Sequence, residues 1–416
     1  MLFFRKSARP RRAHSAPRSR LSVEQLEARL TPCMLPPPLT IDSPLMSITS
    51  SSSPTLGGPV VGTDSNGDYD VSWSNKDSSG PNVYAQRFSS AGVALGSIFR
   101  VNTASGYSEQ DPSIALDSAG DCVITWASYG QDGSGWGVFG QRYNSLGVAQ
   151  GGEFQINTTT AGDQMHARVA MDAAGNFTVV WQSYGQDGNG WGVFGQRYNA
   201  LGQALGGEFQ INNTSAGDQA YPAIAMNATG AFVVTWSSYG QDGSGWGVYA
   251  RRYNSSGNPQ GNEFLVNTTT TGDQMYSSAG IDTAGDFVIS WTSDQTGNWC
   301  VYTQRFYSSG TPRGGESLVG STTGSTASFS TVAMDGAGNY IVTWSNDQSG
   351  SWSNYAEQFS ANGRVLTSQF QIGTTSATYQ TYAGISITAS GLLVLVSNGT
   401  DSSGNNDVFA ELGYNG

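Results

Sequence analysis

Three near-identical loops hold most of the side chains that could do chemistry. Residues 128–137 read SYGQDGSGWG, residues 183–192 SYGQDGNGWG and residues 238–247 SYGQDGSGWG. Each brings together a tyrosine, a glutamine, an aspartate and a tryptophan. The sets are Tyr129, Gln131, Asp132 and Trp136; Tyr184, Gln186, Asp187 and Trp191; and Tyr239, Gln241, Asp242 and Trp246. A flat aromatic ring stacks on the C–H face of a pyranose while an amide and a carboxylate bind its hydroxyls. The sets are therefore expected to form shallow ligand-binding pockets, and three weak sites on one polymer gain by avidity. The plainer expectation for the tryptophans is a lid over apolar core.

Groups suited to catalysis are sparse. The only histidines are His14 and His166, and Tyr221 and Tyr276 fill the place of His166 in other copies of the repeat described below, so a histidine-based triad or a zinc site is not expected. Glu153, Glu208 and Glu263 recur at one repeat position. A glycoside-cleaving pair of carboxylates would need one copy to differ from the rest. Arg87, Arg142, Arg197, Arg252 and Arg305 fall in a strand and are expected to pair with repeat carboxylates. Asp64, Asn66, Asp68 and Asp70 offer oxygens at alternate positions, the spacing of a calcium loop, but other copies shorten this to DSAGD or DAAGN, which reads as a hairpin turn. No cofactor is expected, with calcium the one ion left open, and the chain reads as no enzyme.

These residues are positioned by a repeat. An Asp-x-x-Gly turn, an apolar run and a tryptophan recur at Trp73, Trp126, Trp181, Trp236, Trp291 and Trp344, with Ser397 in the seventh copy. Each copy predicts four short strands, and the second strand is apolar or neutral on both faces, as a blade stacked between two others requires. The seventh copy ends after its third strand. Aligning the stretch before the first turn with the equivalent stretch of the second copy places Met46 and Ile48 on Phe154 and Ile156. The expected fold is all-β: a seven-bladed β-propeller of four-stranded antiparallel blades over residues 45–416, its ring closed by an N-terminal strand, which removes a sheet edge.

Charge divides the chain. Residues 1–35 hold eight of the 19 basic residues and two of the 31 acidic ones, which leaves the remainder at −18. Such a body repels nucleic-acid phosphate, so nucleic acid is not an expected partner. No apolar run is long enough for a transmembrane segment. Residues 1–35 read as a basic leader and residues 36–44 as a Pro-rich linker. Within the leader, Leu21, Glu24, Leu26, Glu27, Arg29 and Pro32 resemble the short leader of large exported proteins of planctomycete-type bacteria. The repeats resemble those of bacterial surface proteins of the type G-x-F-V-V-x-W-x-S…V-x-x-Q-R-Y…G-x-E-F-x-V-N. These resemblances imply secretion or display at the cell surface. The function expected is that of a non-enzymatic adhesion or ligand-binding module, acting as a monomer on an extracellular glycan or a surface protein. The alternative is a polysaccharide-degrading propeller of glycosidase or lyase type, which two unmatched carboxylates at the central channel would favour.

Overall fold

The computed structural model describes residues 40–41, 46–48, 58–320, 326–347, 352–373, 380–389, 391–400 and 406–414. The leader and most of the stretch read as a linker lie outside these residues. The described residues form strands, turns and loops without a helix, arranged as seven antiparallel sheets in a ring. The chain is a seven-bladed β-propeller.

Blade 3 shows how the sequence builds one unit. Its strands are Gln164–Met171, Phe177–Tyr184, Trp191–Tyr198 and Phe209–Gln210, from the axis outward. The turn between the first two is held by Asp172, whose Oδ1 accepts the amides of Ala174 and Asn176 at 2.9 Å each, and Gly175 takes the positive φ of 83° that closes it. In the second strand Val179 and Trp181 face one neighbouring blade and Val180 the other, and all three are fully buried. The core is thus the set of interfaces between blades. Cys122, in the place of Phe177, Phe232 and Phe287, is buried in the interface of blades 1 and 2.

The inner strands Ser108–Leu116, Gln164–Met171, Gln219–Met226, Gln274–Ile281 and Thr326–Met334 belong to blades 2 to 6. Each contacts the inner strand of the next blade, and those of blades 7 and 1, Gln380–Ile387 and Val60–Thr63, complete the circle. The N-terminal strand closes the ring as its register foretold. Met46 and Ser47 pair with Ala410 and Phe409, and the Ile48 amide donates to Val408 O at 2.8 Å, as the Ile156 amide does to Val138 O. Thr40 and Ile41, inside the stretch read as linker, also pair with Tyr414 and Gly413. No helix among the described residues is long and apolar enough to cross a membrane.

Candidate functional site

Near the start of every inner strand of blades 2 to 6 the ladder slips by one residue. In blade 3 Met165 faces Gln182, but Arg168 faces Val180, so three steps on one strand match two on the other. The same bulge lies between Gln110 and Ser113, Ala220 and Ala223, Met275 and Ser278, and Ser328 and Thr331. One residue in each adopts a left-handed backbone: Asp111, His166, Tyr221, Tyr276 and Phe329, with φ of 53–58°. Residues with a β-carbon avoid this region at a cost of roughly 1–2 kcal/mol. Repeated strain of this kind is characteristic of functional sites. Part of the cost is offset by hydrogen bonds from the preceding blade, since the amides of Tyr221 and Tyr276 donate to Gln182 Oε1 at 2.9 Å and Ser237 Oγ at 3.2 Å.

The five residues line a cavity of about 900 Å³ at the centre of the ring, together with Gly58, Arg168 and backbone of the inner strands. Asp111 is its one carboxylate among the described residues. Asp111 Oδ2 lies 2.7 Å from His166 Nδ1, and Asp111 Oδ1 accepts Nη1 of Arg168 at 3.2 Å. Burial by itself would raise the Asp111 carboxyl, but the Arg168 charge and the His166 contact outweigh it and hold the group at about 2. An ionised carboxylate only accepts, so Nδ1 of His166 carries the proton of this contact, and Nε2 is the nitrogen left to face the cavity. Nη1 of Arg168 also donates to Ala167 O at 2.8 Å, while its Nε and Nη2 make no hydrogen bond to the described residues. The side chains of Asp111, His166 and Arg168 are 28%, 32% and 35% exposed, enough to meet a ligand.

From His166 the lining continues as aromatic rings. Centroids lie 5.4 Å apart for His166 and Tyr221, 4.8 Å for Tyr221 and Tyr276, and 6.4 Å for Tyr276 and Phe329. Trp246 stands 6.4 Å from Tyr221, and Trp352 6.3 Å from Phe329. The loops singled out in the sequence rise on the same face. Tyr129, Tyr184 and Tyr239 are 55%, 54% and 53% exposed, each set edge-on against its tryptophan, Trp136, Trp191 or Trp246. Trp246 thus belongs both to a loop set and to the rim of the cavity.

The polar members of those sets are engaged within the protein. Gln131, Gln186 and Gln241 donate to Glu153, Glu208 and Glu263. Asp132, Asp187 and Asp242 accept the amides of Ser134, Asn189 and Ser244 at 3.0–3.2 Å, tying off their own loops. The arginines of the third strand do not all find carboxylates. Arg87 pairs with Asp70 at 3.1 Å, but Arg197 and Arg305 donate to the carbonyls of Ser255 and Ala361 in the following blade, because the turn of that blade lies nearer than an acid. Asp64 Oδ1 accepts the amides of Asn66 and Asp68, a hairpin turn, and Asp70 is turned away to Arg87. Among the described residues no three His, Cys, Asp or Glu side chains are grouped as a metal would need.

His166 was set aside in the sequence because tyrosine fills its place in other copies. That variation was the signal. The position fifteen residues before the strand-two tryptophan reads Gly58, Asp111, His166, Tyr221, Tyr276 and Phe329, while the residues around it repeat.

No family model matches the chain, and no curated protein does. Solved structures resemble it in fold. A protein of unknown function from Dyadobacter fermentans is 9% identical with a TM-score of 0.56, over 91% of this chain and 100% of that one. The polysaccharide lyase Uly1 is 9% identical with a TM-score of 0.54, over 90% of this chain and 91% of that one. An ulvan lyase of a new polysaccharide lyase family, bound to -[GlcA(1-4)Rha3S]-, is 11% identical with a TM-score of 0.52, over 87% of this chain and 95% of that one. At such identities the shared feature is the fold. The expectation that this propeller is no enzyme is overturned here. It rested on the scarcity of histidine and the sameness of the blades, yet lyases are built on this fold, and the cavity gathers an Asp–His–Arg cluster from two blades that differ from the rest.

Proposed function

We propose that the chain is an exported polysaccharide-degrading enzyme that cleaves a uronate-containing glycan by β-elimination at the mouth of the central channel. The observation that carries this is the contact of Asp111 with His166 at 2.7 Å while Arg168 occupies its other oxygen, all three on the cavity wall. The uronate carboxylate pairs with Nε and Nη2 of Arg168, which bond none of the described residues, and this pairing acidifies the neighbouring C5 proton. His166 Nε2 takes that proton, the C5–H electrons form the C4–C5 double bond, and the C4–O bond breaks. The leaving oxygen is protonated by the Tyr221 hydroxyl, whose ring lies 5.4 Å from His166. No oxidant or water is consumed. Hydrolysis by paired carboxylates is less well supported, since the described residues of the cavity wall carry one carboxylate and that mechanism uses two. The body is acidic, so affinity for a polyanion must come from short-range pairing at Arg168 rather than long-range steering. The basic leader and the resemblance it carries support export.

The test is incubation with ulvan, alginate and polygalacturonate while following the ultraviolet absorbance of the C4–C5 double bond. The wild type should generate the chromophore on at least one polymer, and His166→Ala and Arg168→Ala should each lose about 10²-fold or more. Reducing ends appearing without the chromophore, or full activity in His166→Ala, would overturn the proposal.

A further inference from the structure

The cavity wall is chemically lopsided. Blades 2 and 3 contribute Asp111, His166 and Arg168, whereas blades 4, 5 and 6 contribute Tyr221, Tyr276 and Phe329, extended outward by Trp352. Successive planes along Tyr221, Tyr276, Phe329 and Trp352 are tilted by 58°, 42° and 50°, so the rings form a curved surface rather than a stack. These four side chains carry no charge, and their hydrogen-bonding groups are two tyrosine hydroxyls and one indole N–H, while their π-faces suit the electropositive C–H faces of sugar rings. At the other flank of the charged cluster, blade 1 presents Gly58, so that among the described residues no side chain closes the mouth there. All five bulged residues share the left-handed backbone, and the amides of Tyr221 and Tyr276 are held by the preceding blade, so the surface is preorganised and costs little ordering on binding.

We infer that the arc of Tyr276, Phe329 and Trp352 binds sugar units on one side of the cleavage point while the gap at Gly58 lets the chain run out on the other, so that the enzyme cuts within long chains. This rests on the β-elimination proposal and names the track its substrate follows. A pocket closed at one end would release units from chain ends; one open at both flanks accepts a chain anywhere along its length.

The experiment compares wild type with Phe329→Leu, Trp352→Ala and Gly58→Trp on the polymer and on a tetrasaccharide cut from it. Phe329→Leu keeps apolar volume and removes the π-face. Losing one stacking contact should raise KM on the polymer about two- to tenfold with kcat little changed, and less on the tetrasaccharide, which does not reach Trp352. Wild type should drop the viscosity of the solution before much product forms, and Gly58→Trp should slow that drop by a larger factor than it slows turnover of the short substrate. Unchanged KM in both aromatic variants, or viscosity falling only in step with product, would overturn the inference. Retardation of the same proteins in polymer-containing native gels separates the two proposals. If wild type makes no double bond on any polymer yet is retarded, and the aromatic variants are not, the binding arc stands and the chemistry falls. If retardation is equal in all, the arc falls whatever the chemistry.

Discussion

Replacing Glu109 by glutamine should stabilise the protein, and more so as pH rises. In blades 3, 4 and 5 the equivalent position is Gln164, Gln219 and Gln274. Each accepts from an asparagine, as Gln164 Oε1 does from Asn157 Nδ2 at 3.0 Å, and its Nε2 donates to loop carbonyls, for Gln164 those of Ala161 and Gly162 at 3.1 and 3.2 Å. Blade 2 has a carboxyl instead. Glu109 is 1% exposed, and neither of its oxygens has a hydrogen-bond partner among the described residues. Burial pushes its pKa up to about 7 from 4.5, against the pull of Arg100 and with a push from Glu153. Between those values the folded protein keeps a proton that the unfolded chain has released. Stability from this group is therefore whole below about pH 4.5 and falls as pH rises to about 7, a loss of about 3 kcal/mol at about 1.4 kcal/mol per pH unit. Glu109→Gln removes the titration. Its gain in unfolding free energy should be about 3 kcal/mol larger near pH 8.5 than near pH 4. A further 0.5–1.5 kcal/mol or so at both pH values would come from a restored hydrogen bond. Urea unfolding followed by tryptophan fluorescence measures both. Equal gains at the two pH values would refute the assignment of a raised pKa to Glu109.

Four other outcomes follow from the same geometry. Asp70→Ala should cost about 3–5 kcal/mol at neutral pH by leaving Arg87 charged and unpaired in the interface of blades 1 and 2, and a loss below about 1 kcal/mol in urea unfolding would contradict that. Deleting residues 1–49 uncovers Asn406–Tyr414 as a free edge, so the midpoint should fall and light scattering should show self-association; an equally stable monomer would make the closing strand dispensable. Trp181→Ala, fully buried between blades, should cost about 3–5 kcal/mol by thermal or urea unfolding, well above Trp191→Ala at the half-buried rim, and equal costs would contradict the interface core. Asp111→Asn should cut the elimination rate about 10²–10⁴-fold with the unfolding midpoint preserved, because an amide can hold His166 in the wrong tautomer; an unchanged rate would remove Asp111 from the chemistry.

Glu109 and His166 show why the sequence yielded the scaffold more readily than the site. Both were visible as departures from the repeat, but a departure has no meaning until its place in the blade is known. His166 looked like a substituted tyrosine; only the bulge at residues 165–168 turns it inward to meet Asp111, which stands fifty-five residues away in another blade. Conversely, the loop sets were read as shallow pockets from residues near in sequence, and only the structure shows that Gln131 and Asp132 also bond Glu153 and their own loop.

The sequence by itself determined the blade count, the four-strand unit, its Asp-x-x-Gly turns and the register of the closing strand. Those depend on local periodicity and on spacings repeated seven times, which sum into one consistent pattern. The tertiary structure alone decided that the starts of five inner strands converge at the axis, that left-handed bulges aim their side chains there, and that a carboxylate, an imidazole and a guanidinium meet on one side with aromatic rings on the other. Contacts across a ring join residues remote in the chain, and their chemistry is set by distances of a few ångströms that no spacing along the sequence encodes.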